Sequence, residues 1–195
     1  NSHCHEDHVA GNHLYPKAPL LLHEADMPGM RSLDDMMAIY GMSPRIAVAF
    51  REILVDDFHY VPRPDADAVR DGDVLDLGGS RVRVIHAPGH TRGHCVLHVE
   101  PEDVLYLGDI DLSSFGPYYG DAWSSLGDFR RTLAMARTLD ARWYATFQFP
   151  DGRIPCCIDR RGADRVPEND SEGEFLFTLA QYYRYTRDVG FVYEL

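Results

Sequence analysis

The 195-residue sequence contains no apolar run approaching the ~20 residues that a membrane-crossing helix needs, and no stretch reads as a signal peptide. A membrane partner is therefore not expected. Cysteine is scarce. The four present, Cys4, Cys95, Cys156 and Cys157, show no C-x-x-C spacing, which argues against a structural zinc knuckle or a disulfide framework and fits reduced thiols in a cytoplasmic protein. Positive charge is also in short supply, with 19 basic against 31 acidic residues and a formal charge of −12. The basic residues come singly or in pairs such as Arg130-Arg131 and Arg160-Arg161, so no patch offsets the repulsion of nucleic acid or an anionic lipid surface. Repeats and low-complexity segments are missing. What remains, 45% hydrophobic and 26% charged, has the balance of an ordinary globular chain long enough for one domain, 1–195.

Against this background the first eight residues stand out. Asn1-Ser2-His3-Cys4-His5-Glu6-Asp7-His8 concentrates imidazoles and carboxylates, the donor types that suit zinc, iron or manganese. In extended backbone Cys4 alternates with His3 and His5 and points away from them, which makes it a packing residue. The following residues read as a short helix and then an apolar strand, Pro19-Leu20-Leu21-Leu22-His23. Ser32 is a plausible N-cap for a helix ended by Gly41. Ser43-Pro44 opens a second helix with Ile46, Ala49, Phe50 and Ile53 sharing a face. Five methionines in this stretch fit gap-filling in a helix pair.

From Asp71 the pattern becomes strands and tight turns: a hairpin ending in Arg81-Val82-Arg83-Val84-Ile85-His86, a turn-rich loop from Ala87 to His94, and strands over Cys95–Val99 and Val104–Leu107. Leu126 to Leu139 has amphipathic helical spacing, Trp143 to Phe147 reads as a buried strand, and Glu172 to Arg187 as a last helix.

Three ordered motifs, His3-x-His5-x-Asp7-His8, then Pro88-Gly89-His90-Thr91-x-Gly93-His94, then Leu107-Gly108-Asp109, resemble those of the metallo-β-lactamase-fold hydrolase superfamily over roughly residues 1 to 110. The resemblance implies an α/β fold, a four-layer α/β/β/α sandwich, with metals at one edge, and a helical insertion at 27–57. Several strands of the first sheet would precede the opening motif, so the expectation is an N-terminally incomplete sandwich, either a fragment or one completed by another chain in a homodimer.

By position, the resemblance implies that His3, His5 and His90 hold a first metal, Asp7 and His8 a second, and Asp109 bridges both. Three neutral imidazoles leave zinc an open position and bring a bound water to a pKa of about 7. Asp7 would also orient the nucleophile and carry a proton to the leaving group, the catalytic role in the scheme. His94 is implied to support the ligands from behind or to pack the loop. A small-molecule ester, thioester or lactone is the implied substrate class, and a β-lactam in particular is not implied. One departure is plain: a further histidine should follow the Trp143–Phe147 strand, but all ten histidines lie at or before His98, and Gln148 stands near that position. Asp111 or Gln148 is the candidate substitute ligand. The sequence leaves open a mononuclear hydrolase, a dinuclear one with altered ligands, and a non-catalytic metal-binding member; a di-iron redox protein is the remoter alternative. The aromatic loop with Phe115, Tyr118 and Tyr119 is the candidate substrate contact.

Overall fold

The computed structural model describes residues 1–110, 120–145, 158–159 and 162–163. Residues 1–110 with the described part of 119–145 form one compact unit. A second unit contains the two-residue strands β8 (Ile158–Asp159) and β9 (Gly162–Ala163), which pair antiparallel.

The first unit is organised around a five-stranded sheet in the order β3 (Val74–Asp76), β4 (Arg81–His86), β5 (Cys95–Glu100), β6 (Val104–Tyr106), β7 (Trp143–Ala145). The first four strands run as an antiparallel meander, with short turns on either side of the longer β4–β5 loop from Ala87 to His94. β7 pairs parallel to β6, which requires a crossover, and helix α4 (Leu126–Ala136) lies within it. Ser125 caps α4 by accepting from the Asp128 amide, and Phe129 is buried against Ala87, Val96, Leu105 and Ile110.

A separate parallel pair, β1 (Leu21–His23) and β2 (Asp67–Val69), brackets the helical segment foreseen at 27–57. Within it, α2 (Leu33–Tyr40) begins at Ser32, whose hydroxyl accepts from the Asp35 amide, and stops at Gly41 in the left-handed conformation. Met30, Met36 and Met37 are buried in one core with Leu22, Ile39 and Leu54, the gap-filling role expected of them. Helix α3 (Pro44–Asp56) differs from its pattern: Leu54 is buried and Phe50 partly so, yet Ile46 is 57% and Ile53 38% exposed. The stripe recognised in sequence was apolar, but the packed face is rotated toward Ala47, Phe50 and Leu54.

The short helix expected after the opening cluster, from Val9 to Tyr15, is a 3-10 turn over Ala10–Leu14, and the one α-helical turn, α1 (Glu6–Val9), lies inside the cluster itself. Before it, residues 1–5 lie against β5, with the Cys95 amide donating to the Ser2 carbonyl at 2.9 Å. This contact brings the histidine-rich segment to the end of the sheet where the β4–β5 loop and the end of β6 also lie.

Candidate metal centre

The β4–β5 loop owes its shape to its smallest residues. Gly89 has φ +135°, and a Cβ there would come within 2.3 Å of the Phe129 backbone, so only glycine lets the start of α4 seat on the loop. That seating is tied by the Ser125 amide donating to Gly89 O at 2.8 Å, the Thr132 hydroxyl donating to Pro88 O at 2.6 Å and the Ser124 hydroxyl donating to His90 O at 2.8 Å. His90 is thereby turned inward and is 1% exposed.

A single carboxylate joins this loop to the opening segment. Asp26, fully buried, accepts from the Thr91 hydroxyl and the Gly93 amide, both at 2.6 Å, and from the Cys4 amide at 3.3 Å. Asp26 was not foreseen, since one Asp before a Met-Pro turn carries no local signal; the Thr91-x-Gly93 spacing was the readable half of the clasp. Cys4 packs behind it, and burial together with Asp26 pushes its thiol well above the usual range, so it stays protonated, consistent with a packing residue.

The imidazoles converge in front of this clasp. His5 Nδ1 lies 2.7 Å from His90 Nε2, which lies 3.1 Å from His3 Nε2. Three ring nitrogens converge inside a buried pocket, and a cation at their focus would use all three lone pairs. Burial, then the neighbouring His8, His5, His90 and His94, holds His3 well below the ordinary imidazole value, so it offers a lone pair at neutral pH. His3, Asp7 and His8 form a second group of converging donors. Asp109, in the turn after β6, stands between the two: its Oδ1 is 2.8 Å from His8 Nε2, and its Oδ2 is 3.3 Å from His90 Nε2 and 3.9 Å from His3 Nε2. Burial opposes ionisation of Asp109, but His8 and His90 outweigh it and draw its carboxyl well below the usual range. Asp7 is the most open member, its side chain 42% exposed, with Oδ2 3.4 Å from His8 Nε2.

The supporting shell is mostly new relative to the sequence reading. His94 was foreseen in this role: its Nδ1 is 3.1 Å from the Ala87 carbonyl and its Nε2 accepts from the Asp109 amide at 3.0 Å, which sets the ring as the Nδ1–H tautomer. Burial depresses its pKa to about 3, so it remains neutral and able to accept. Gly108, at φ +57°, passes so close to this ring that a Cβ would sit 2.5 Å from Nε2. Ser2 was missed. Its hydroxyl lies 3.2 Å from both His3 Nδ1 and His8 Nδ1, and its two lone pairs can receive both ring protons while the Nε2 atoms face inward. Asp121 was missed too; its Oδ2 faces His5 Nε2 at 2.9 Å.

Among the other histidines, His23 and His86 stack on each other with centroids 4.0 Å apart, and His13 and His59 meet at 4.6 Å; none of the four belongs to a group of converging metal donors among the described residues. His98 hydrogen-bonds Asp103 at 2.8 Å on β5. Asp111, Phe115, Tyr118, Tyr119 and Gln148, the vicinal Cys156-Cys157 and the expected last helix lie outside the described residues.

Residues 1–146 match the model of the metallo-beta-lactamase superfamily. The chain belongs to that superfamily. Among curated relatives it is 40% identical over 76 residues to the protein Rv2581c of Mycobacterium tuberculosis, a match covering 36% of this chain and 32% of that one. It is 28% identical over 111 residues to the human acyl-coenzyme A thioesterase MBLAC2, covering 56% and 39% respectively. It is 27% identical over 109 residues to the hydroxyacylglutathione hydrolase of Maricaulis maris, covering 56% and 31%. These matches thus span only about a third of the relatives' own length. Among solved structures, the metallo-beta-lactamase family protein TTHA1429 of Thermus thermophilus superposes with a TM-score of 0.57 at 26% identity, over 94% of this chain and 59% of that one. Hydrolases therefore stand among the relatives of this metallo-beta-lactamase-fold chain, and its own histidine clusters supply donors suited to a metal ion. No helix among the described residues is long and apolar enough to cross a membrane.

Proposed function

We propose that the protein is a metal-dependent hydrolase of small acyl compounds, with a thioester as the first substrate to test. The convergence of His3, His5 and His90 nitrogens carries this reading, because it creates a buried imidazole donor set beside the exposed Asp7 edge. His3, His5 and His90 would hold the first ion, His8 and Asp7 the second, and Asp109 would serve both; zinc suits the imidazole-rich first set, and iron or manganese is compatible with the carboxylate-bearing second. A bound ion there supplies Lewis acidity and an acidified water. The chain's own residues do the rest. Ser2 and His94 hold their partners in register, and Asp109 is kept ionised beside His8 and His90. Asp7, reachable from solvent, would be the residue that takes a proton from water and delivers it to the leaving thiol.

The thioester preference draws on the two relatives named as a thioesterase and a hydroxyacylglutathione hydrolase. The second site of this reading is the weaker one, because its described donors are His8, Asp7 and Asp109 and no histidine follows His98. The direct test is hydrolysis of short acyl-coenzyme A, S-acylglutathione and activated-ester panels by the zinc-loaded full chain beside His90→Ala. Turnover that vanishes in the variant supports the reading. Turnover of none of the panels by a protein shown to carry zinc would overturn it and favour a metal-binding role without catalysis.

A further inference from the structure

His5 is the one member of the cluster that points its Nδ1 inward, toward His90, and so turns its Nε2 outward. That outward atom does not reach solvent. It faces Asp121 Oδ2 at 2.9 Å; both side chains are buried, 6% and 2% exposed, and the two atoms, close in distance but not aligned as a hydrogen bond, have no hydrogen-bond partner among the described residues. A buried carboxylate oxygen and a buried ring nitrogen left to each other are costly unless a proton lies between them. If Nδ1 is to offer its lone pair to a cation, that proton belongs on Nε2.

The helical segment at 27–57 holds this arrangement from two directions. Tyr40, the last residue of α2, stacks on the His5 ring with centroids 5.4 Å apart and planes 23° from parallel, and its hydroxyl donates to Glu6. The α2 carbonyls of Ile39 and Tyr40 accept from the amides of Trp123 and Ala122 at 3.1 and 3.2 Å, which pins the loop that begins with Asp121. Gly41 closes the joint, because a Cβ there would sit 2.6 Å from that of Ala122.

We propose that Asp121 is the positioning residue that fixes the His5 ring with Nε2–H toward its carboxylate and Nδ1 toward His3 and His90, and that α2 exists in this chain as the brace for that pair. The inference rests on the metal-centre reading above. It assigns to the helical segment a task in the site. It also sets apart the support of His5, a carboxylate, from that of His3 and His8, a shared hydroxyl.

The experiment uses the full chain and zinc alone. Zinc affinity is measured by competition with a chromophoric chelator for wild type, Asp121→Ala and Asp121→Asn, and the His5 tautomer is read from imidazole nitrogen shifts of the metal-free protein. Asp121→Ala should bind zinc about 10–100-fold more weakly and shift His5 away from the Nε2–H form. Asp121→Asn keeps the volume and an accepting oxygen without the charge, and should lose less; it decides the question if the alanine variant does not fold. Affinity within about twofold of wild type in a folded variant, with the His5 tautomer unmoved, would overturn the proposal. A His5→Ala control separates the two levels: if it retains wild-type zinc affinity, the metal-centre reading itself fails, whereas if it loses zinc while the Asp121 variants do not, only the role of Asp121 falls.

Discussion

The two sides of the histidine cluster are built on opposite principles. His3, His5 and His90 are buried, 0%, 5% and 1% exposed, and turn ring nitrogens toward one another, with Asp109 reaching His90 from one side and Asp121 facing His5 from the other, whereas His8 and Asp7 sit at a partly open edge beside the Asp109 carboxylate. Burial among other imidazoles lowers His3. At the open edge burial also works against charge on His8, but Asp109 and Asp7 outweigh it and raise that ring. The difference is between a buried group of imidazoles whose converging nitrogens could hold a cation and a carboxylate-bearing rim nearer to water.

The comparison breaks most completely if the dry side loses a donor. His90→Ala should abolish stoichiometric zinc binding, measured by elemental analysis after gel filtration, while Asp7→Asn should leave the first ion in place and remove only occupancy beyond it. Next in size is the clasp behind the dry side. Asp26→Ala leaves the Thr91 hydroxyl and the Gly93 and Cys4 amides without their buried acceptor, at about 1–3 kcal/mol for each group left unsatisfied. The thermal midpoint of the metal-free protein should fall by roughly 2–4 °C for each kcal/mol, and zinc should bind more weakly because His90 loses its backing. Ser2→Ala should act on both sides at once, since one hydroxyl serves His3 and His8, and should weaken zinc binding by about tenfold in the same competition assay.

The smallest effect lies outside the cluster and sharpens its electrostatics by contrast. His23 is buried and stacked on His86, and burial followed by His86 lowers its pKa below the ordinary 6.5, with Asp26, Glu24 and Asp71 opposing. The unfolded chain then binds a proton there that the folded chain does not, so this contribution to stability is present above pH 6.5 and is lost as pH falls below it. His23→Phe should flatten that part of the stability profile, read by urea titrations of the metal-free protein between neutral and mildly acidic pH. An unchanged slope would assign the acid sensitivity elsewhere.

Much of the first unit was legible in sequence because its signals are local. The strand–turn alternation from Asp71 onward, the Ser32 and Gly41 ends of α2 and the three ordered motifs all depend on residues a few positions apart. The supporting residues were illegible for the opposite reason. Asp26 reaches Thr91 and Gly93 across 65 and 67 positions. Asp121 reaches His5 across more than a hundred, through a loop whose position α2 decides. Nothing near either aspartate in the chain distinguishes it from a solvated one. The face of α3 was misread because hydrophobic periodicity reports which residues could be buried, not which neighbour arrives to bury them.

The division between dry and open sides is tested most directly by zinc-edge X-ray absorption on the protein loaded with one equivalent of zinc. Three imidazole nitrogens completed by oxygen, with no sulfur, are predicted from the convergence of His3, His5 and His90 and the protonated, inward-packed Cys4. A sulfur scatterer, or a spectrum unchanged by His90→Ala, would contradict the account.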